Sequence, residues 1–589
     1  MKNILIGLLV NFLWLNHTIA QELVRFQTPP KELLELIEAP STPTFSVSPS
    51  KQVYLLAYPQ EMPELTELAQ SELKIAGIRI NPNNYGQSNP RSYSKFEIIN
   101  FNTNKSTSVT GIPSNGTAIA YRWSPNGQHI AFSVYFENSI ELWVANVDEC
   151  VAKKVSENLN ESLISPAFQW SSNSQSLLYT STCEGLKKPE TKEIPLGPSV
   201  QHSAGKKTSA RTYQDLLKKP SDEQFFEYYC TSQLNVVTLN GQSEQIGNRG
   251  IIADFNSSPD GNYILVEEIV RPYSYLVPAD LFPVNFHIWD SKGGLVKRLA
   301  ELPLADDIPQ GFNATRKGAR SFFWRTDKPA TIVWVEAQDE GDPKNSSKIK
   351  DALFSLDAPF RNTATMLVEL DTRFAGVDWG WDNLAIVYGR WWSTRRSVTL
   401  AINPSQPSIA PKVLWDRSYE DAYSDPGRFI TERNSWGREI LLADKSRKSL
   451  YLSGAGSSTQ GDMPFLDEYS ADKGKSTRLW QSKAPFYEYF VDFLNLRSLQ
   501  FITSKESITE QPNFYLNQIN KREVKQITHF PHPMESLKNV TKEVIRYKRS
   551  DGVQLTGTLY LPAGYKKGEK ALPTLMWAYP QEFVNASHA

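Results

Sequence analysis

Cysteine is scarce in this sequence: 589 residues carry only Cys150, Cys183 and Cys230. That count excludes a disulfide-dense secreted scaffold, and the spacing fits no zinc-ligand pattern. The seven histidines are scattered, so neither a metal nor an organic cofactor is predicted. An excess of one charge is missing too. Lys and Arg total 63 against 64 for Asp and Glu, a net charge of -1. This argues against a nucleic-acid partner, because such surfaces carry a basic stripe. After the N-terminus no apolar run approaches the roughly 18 residues of a membrane span, so no span is predicted.

What the chain has instead is rings. Aromatics make up 12 %, with 15 Trp, 25 Tyr and 28 Phe, and large rings suit the half-buried pleated surface of a sheet. With 40 % hydrophobic and 22 % charged residues, the chain is not disordered by composition. Its length exceeds one ordinary core and implies several domains or a repeat.

Lys2, the apolar run 4–15 and the small residues Thr18 and Ala20 before Gln21 read as a signal peptide over 1–20, and hence as export to the periplasm or the extracellular space. Residues 21–44 are predicted to be a helix and linker, because PPKELLELIEAP (29–40) sets prolines at a helix start and a stop. TYQDLLKKPSDEQFFEYY (212–229) reads as short helices in a polar insertion that also holds the basic loop GKKTSAR (205–211). Cys183 and Cys230 flank that insertion and are the candidate disulfide; buried free thiols are the alternative.

Five segments repeat one pattern: FSVSPSKQVYLLAY (45–58), YRWSPNGQHIAFSV (121–134), FQWSSNSQSLLYTS (168–181), FNSSPDGNYILVEE (255–268) and FFWRTDKPATIVWVEA (322–337). Each opens on an aromatic, passes a tight turn and continues as a β-rich run. Pro125 and Pro259 fix φ in the turn, and Gly127 and Gly261 tolerate positive φ. Units of this kind cannot bury their faces alone and must stack. The expectation is a mainly β chain, with a seven- or eight-bladed β-propeller over 45–540; two or more β-sandwiches are the rival architecture.

From Thr541 the character changes. VIRYKR, the turn dipeptide Asp551-Gly552 and VQLTGTLYLP form a predicted hairpin. ALPTLMWAY (571–579) reads as a buried central strand, which needs sheet neighbours on both sides.

The sequence of a leader, a stacked β-repeat, DGVQLTGTLYLP (551–562) and an apolar strand ending in Trp577-Ala578-Tyr579-Pro580 resembles the prolyl oligopeptidase family of serine peptidases. GKKTSARTYQDLL (205–217), RPYSYLVP (271–278), GARSFFWRTDKPATIVWVEAQDEGDP (318–343), YEDAYSDPG (419–427), GAGSSTQGDMPFLDEY (454–469) and QITHFPHP (526–533) are similar to its glutamyl endopeptidase branch. The resemblance implies a propeller followed, over 541–589, by the first strands of an incomplete α/β-hydrolase domain. It also implies peptide substrates and a Ser–Asp–His triad with the serine in a G-x-S-x-G elbow. No G-x-S-x-G occurs in the chain; Gly454-Ala455-Gly456-Ser457-Ser458 lacks the spacing, and His588 lies too early for the triad histidine. The chain is therefore expected to end before the triad and to be inactive by itself. Tyr579 matches the family tyrosine that donates to the oxyanion. Specificity for glutamate would need a cation, most naturally arginine. Arg271 and Arg320 are the candidates, with Arg316, Arg395 and Arg396 nearby, and ordinary surface solvation is the alternative for each. Two further readings compete: a non-catalytic propeller that binds a peptide or protein, and a sugar-handling propeller using Asp421, Asp425, Asp462 or Asp467, whose carboxylates are more simply turn formers.

Overall fold

The computed structural model describes residues 27–190, 212–579 and 582–584, and it is mainly β. The leader expected over 1–20 and the basic loop 205–211 lie outside the described residues. The chain divides into two compact units, one of residues 1–41 with 532–569 and one of residues 42–531 with 570–589.

The smaller unit holds the helix Lys31–Ile37 behind Pro30 and the hairpin Thr541–Lys548 with Gln554–Leu561. The hairpin turn forms as its dipeptide requires. Gly552 takes φ +89°, a region open to glycine. Arg549 grips Asp551, with Nη2 2.6 Å from the carboxylate, and holds its pKa down at about 2.

The larger unit is a succession of antiparallel four-stranded meanders, each strand pairing with the next. They span 44–108, 117–156, 168–250, 251–302, 318–370, 373–418, 428–481 and 487–526. The third and fourth share one long strand, Ser243–Ser257, whose first half closes one meander and whose second half opens the next. Gly247 sits near its middle at φ +64°.

The repeated sequence pattern has a mechanical reason. Ser124 accepts the Gly127 amide on its carbonyl and the His129 amide on its hydroxyl, and Ser258 does the same for Gly261 and Tyr263. In the first and third copies Lys51 and Ser174 take the glycine's place at φ 59° and 60°. The ring beside each turn ties one meander to the one before it. Trp123 Nε1 donates to Ser46 Oγ at 2.9 Å, Trp170 Nε1 to the Arg122 carbonyl at 3.0 Å and Trp324 Nε1 to the Asn256 carbonyl at 2.9 Å. A buried indole N–H needs such a partner.

Hydrophobic clusters fill the gaps between successive meanders. Phe96, Trp123 and Phe132 join the first to the second, Leu142 and Phe168 the second to the third, and Ile386 and Leu452 the sixth to the seventh. The first and last meanders also share a cluster, with Tyr54 and Leu56 packed against Ile502 and Ile527. There Phe45 stacks on Phe514 at 3.9 Å between centroids, and Tyr54 donates to the Ile527 carbonyl at 2.9 Å.

Among its described residues the insertion forms one helix, Pro220–Cys230, where the sequence pointed to several short ones. Its Phe226, Tyr229 and Cys230 are buried against Ile75 and Ile80. The bridge expected between Cys183 and Cys230 is not formed, and both are free thiols. Cys230 closes the helix inside the core, whereas Cys183 lines a cleft with Arg249. Burial pushes both thiols up.

Candidate functional site

The first strand of each meander alternates between two faces, as a strand must. One face sends a ring into the cluster between meanders: Trp123, Phe255, Trp379, Phe429 and Phe493 are all buried. The residue before each ring is polar: Arg122, Asp254, Asp378, Arg428 and Asp492. These side chains sense one another across meanders. Asp254 acts on Arg122 and so does Arg433; Arg428 and Glu439 act on Asp378.

Lys51, Trp123, Arg428, Glu432, Glu439 and Asp492 line one cavity of about 550 Å³. Lys51 Nζ lies 2.5 Å from Asp492 Oδ2. Arg433 Nε lies 3.3 Å from Glu439 Oε1. Burial raises the carboxyls of Asp254, Asp378, Glu432 and Asp492 and lowers Arg122. Next to Asp254, Glu267 is pushed up to about 7, first by burial and then by that neighbour's charge, with Arg316 opposing. Such a lining can hold both signs of a peptide through charge-assisted hydrogen bonds. Among the described residues no cluster of His, Cys, Asp and Glu is arranged to hold a metal ion.

Of the residues singled out from the sequence, Arg316 acts on Glu267, whereas Arg271, Arg320, Arg395, Arg396 and Tyr579 do not line this cavity. Arg271 is exposed and held by Glu223 at 2.6 Å and Glu227 at 2.7 Å, over the ring of Tyr273. Arg320 pairs with the fully buried Asp351, which also takes Arg373 at 3.1 Å. Arg316 donates to the Pro303 carbonyl, Arg395 to Glu420, and Arg396 to Asp416 and Asp371. Tyr579 lies outside any strand and is 85 % exposed.

In an alignment of 603 positions that covers 97 % of its length, the chain is 36 % identical to a probable glutamyl endopeptidase, chloroplastic, of Oryza sativa subsp. japonica. Over 96 % of its length it is 37 % identical to the protein so named in Arabidopsis thaliana. The chain is thus similar to glutamyl endopeptidases along nearly its whole length. It spans 64 % and 62 % of the length of those two curated relatives. No family model matches the chain. Among solved structures, an acylaminoacyl peptidase in complex with Z-Gly-Gly-Phe-chloromethyl ketone aligns at TM-score 0.42 and 14 % identity, covering 91 % of this chain and 60 % of that one. A likeness that loose decides nothing further.

The charges that act on one another across meanders were missed from the sequence. Their signal is there in five of the eight meanders: a charged residue directly before the ring of the first strand, at Arg122, Asp254, Asp378, Arg428 and Asp492.

Proposed function

We propose that the chain is part of an exported serine peptidase of the glutamyl endopeptidase branch that hydrolyses peptides, with cleavage after glutamate. The observation that carries this is identity of 36 % sustained over 97 % of the chain. The larger unit is on this reading an eight-bladed β-propeller. Support comes from the clusters that fill the gaps between meanders and from the contact of the first meander with the last through Phe45 and Phe514. The propeller's charged interior screens and holds peptides. Residues 541–589 open the α/β-hydrolase domain, and Tyr579 donates its hydroxyl to the oxyanion, a role worth about 2.7–4 kcal/mol per donor. The leader over 1–20 directs export. Arg271 or Arg320 could grip a substrate carboxylate only by giving up Glu223 and Glu227, or Asp351.

No G-x-S-x-G elbow occurs in these 589 residues, and on this reading the chain alone binds peptides without turning them over. The test is an assay of the purified chain on peptides containing glutamate. Turnover blocked by a serine-directed phosphonate overturns this part of the reading. Peptide binding without turnover is expected, and the same chain joined to a downstream segment carrying G-x-S-x-G is expected to cleave after glutamate. A joined protein that still binds without cleaving favours the non-catalytic binding propeller instead.

A further inference from the structure

In the seventh meander the innermost strand, Arg428–Phe429, pairs directly with Ser449–Gly454. Other meanders cross between these two positions in a tight turn such as 124–127. Here the chain instead inserts a second hairpin, in which Thr431–Arg433 pairs with Glu439–Leu441. Its tip is tightly built: Asn434 Oδ1 accepts the amides of Trp436 and Arg438, and Gly437 takes φ +71°.

The hairpin touches meanders far from its own. Gly437 lies against Pro125 of the second meander so closely that an added Cβ would come within 2.6 Å of the proline Cβ. Arg438 Nη2 donates to Ser257 Oγ of the fourth at 3.0 Å, and to the Ser257 carbonyl. With the fifth it exchanges two bonds: Asn434 Nδ2 donates to the Thr326 carbonyl at 2.7 Å, and Thr326 Oγ1 donates to the Glu439 carbonyl at 2.6 Å. Leu441 packs with Trp381 and Ile386 of the sixth. Pro125, Ser257 and Thr326 occupy one place in their meanders, at or just before the turn that ends the innermost strand. A segment bound to that same end of several meanders cannot lie on the outer rim of a ring.

We infer that the hairpin Thr431–Leu441 is a plug across one mouth of the propeller channel, so that peptides reach the charged interior only from the opposite mouth. The inference rests on the ring proposed above and adds to it the direction of access.

The test uses Asn256→Cys, a channel-lining position beside the plug contact at Ser257, in the full chain carrying Cys183→Ser. Labelling by a bulky polyethylene-glycol maleimide is timed with the native hairpin, with residues 432–440 replaced by Gly-Gly, and with Arg438→Ala plus Asn434→Ala. The last pair loosens the tip without removing it. Both changes are expected to speed labelling at least about tenfold, since the anchoring hydrogen bonds set the cost of local opening. Should the shortened chain fail to fold, the double alanine variant alone decides. An unchanged rate overturns the plug. Coupling between Phe45 and Phe514, measured by a double-mutant cycle, separates the two readings. Coupling with an unchanged rate removes the plug and leaves the ring; loss of coupling removes the ring.

Discussion

The strand Val53–Pro59 and the hairpin Thr541–Leu561 use the same kinds of residue and end in opposite surroundings. In VYLLAYP the first five residues are buried. In TKEVIRYK and QLTGTLYL none is, although Val544 and Ile545 are as apolar as the aliphatic residues buried in the larger unit. The difference lies in neighbours rather than propensity. Val53–Pro59 has a strand on each side and rings of other meanders on both faces. The hairpin is a two-stranded ribbon, which is marginal in water until a third layer covers it. A β-pattern in sequence therefore says that a strand forms, and only the stacking partner says whether it is buried.

The largest expected effect tests that directly. Phe132 has no exposed surface and sits in the cluster between the first two meanders. Phe132→Ala is expected to cost about 3–5 kcal/mol through lost burial and the cavity left behind. Tyr560→Ala on the exposed hairpin is expected to stay within about 0.5 kcal/mol. Denaturant unfolding of both variants checks the pair, and equal losses would show that the hairpin is buried after all.

Next in size is a pH effect confined to the larger unit. Glu267 has its folded pKa raised to about 7, above its unfolded value. Below the unfolded value it is protonated in both states and costs nothing. As pH rises towards and through 7 the folded state must ionise a crowded carboxyl, so stability is lost. Glu267→Gln is expected to leave stability at pH 4 unchanged and to raise it at pH 8, by at most about 3 kcal/mol. The matching change in the hairpin, Glu543→Gln, removes an exposed pair with Lys567 and is expected to matter by less than about 1 kcal/mol. Melting temperatures across pH separate the two, and a flat Glu267→Gln difference would remove the assigned shift.

A smaller effect probes what joins the ends of the larger unit. Phe45 and Phe514 stack at 3.9 Å, so a double-mutant cycle to alanine is expected to give a coupling of about 0.5–1.5 kcal/mol.

Much of this was readable in advance, for reasons visible residue by residue. Ser124-Pro125-Asn126-Gly127 and Ser258-Pro259-Asp260-Gly261 encode their turns locally, and Pro30 and Asp551-Gly552 encode a helix start and a hairpin in the same way. Lys51 and Ser174 hold the same positive φ without glycine, so the turn text weakens where its geometry persists. The later meanders escaped the repeat search because their turns lack the Pro-Gly signature and because an inserted hairpin separates Phe429 from its partner Leu452. The inward charges escaped because a polar residue in a strand reads as solvent-facing, and only the stacking of distant meanders brings Asp254 to Arg122 or Lys51 to Asp492. Arg320 misled for the converse reason: its partner Asp351 lies two strands away.

The smallest expected change in stability belongs to the segment that departs most from its own text. ALPTLMWAY reads as a buried strand, yet Leu575, Met576 and Trp577 are each more than 85 % exposed, and no ladder forms at 571–579. Its side chains contribute almost nothing to folding, because they leave water in neither state. They do form a contiguous apolar surface of the kind that drives association. Met576→Ser with Trp577→Ser is therefore expected to leave the unfolding midpoint unchanged while lowering both binding of a hydrophobic dye and the rate of aggregation. Phe132→Ala should do the opposite on both counts. A loss of stability in the double serine variant would mean that Trp577 is covered in solution, which would place this segment with Val53–Pro59 rather than with the hairpin.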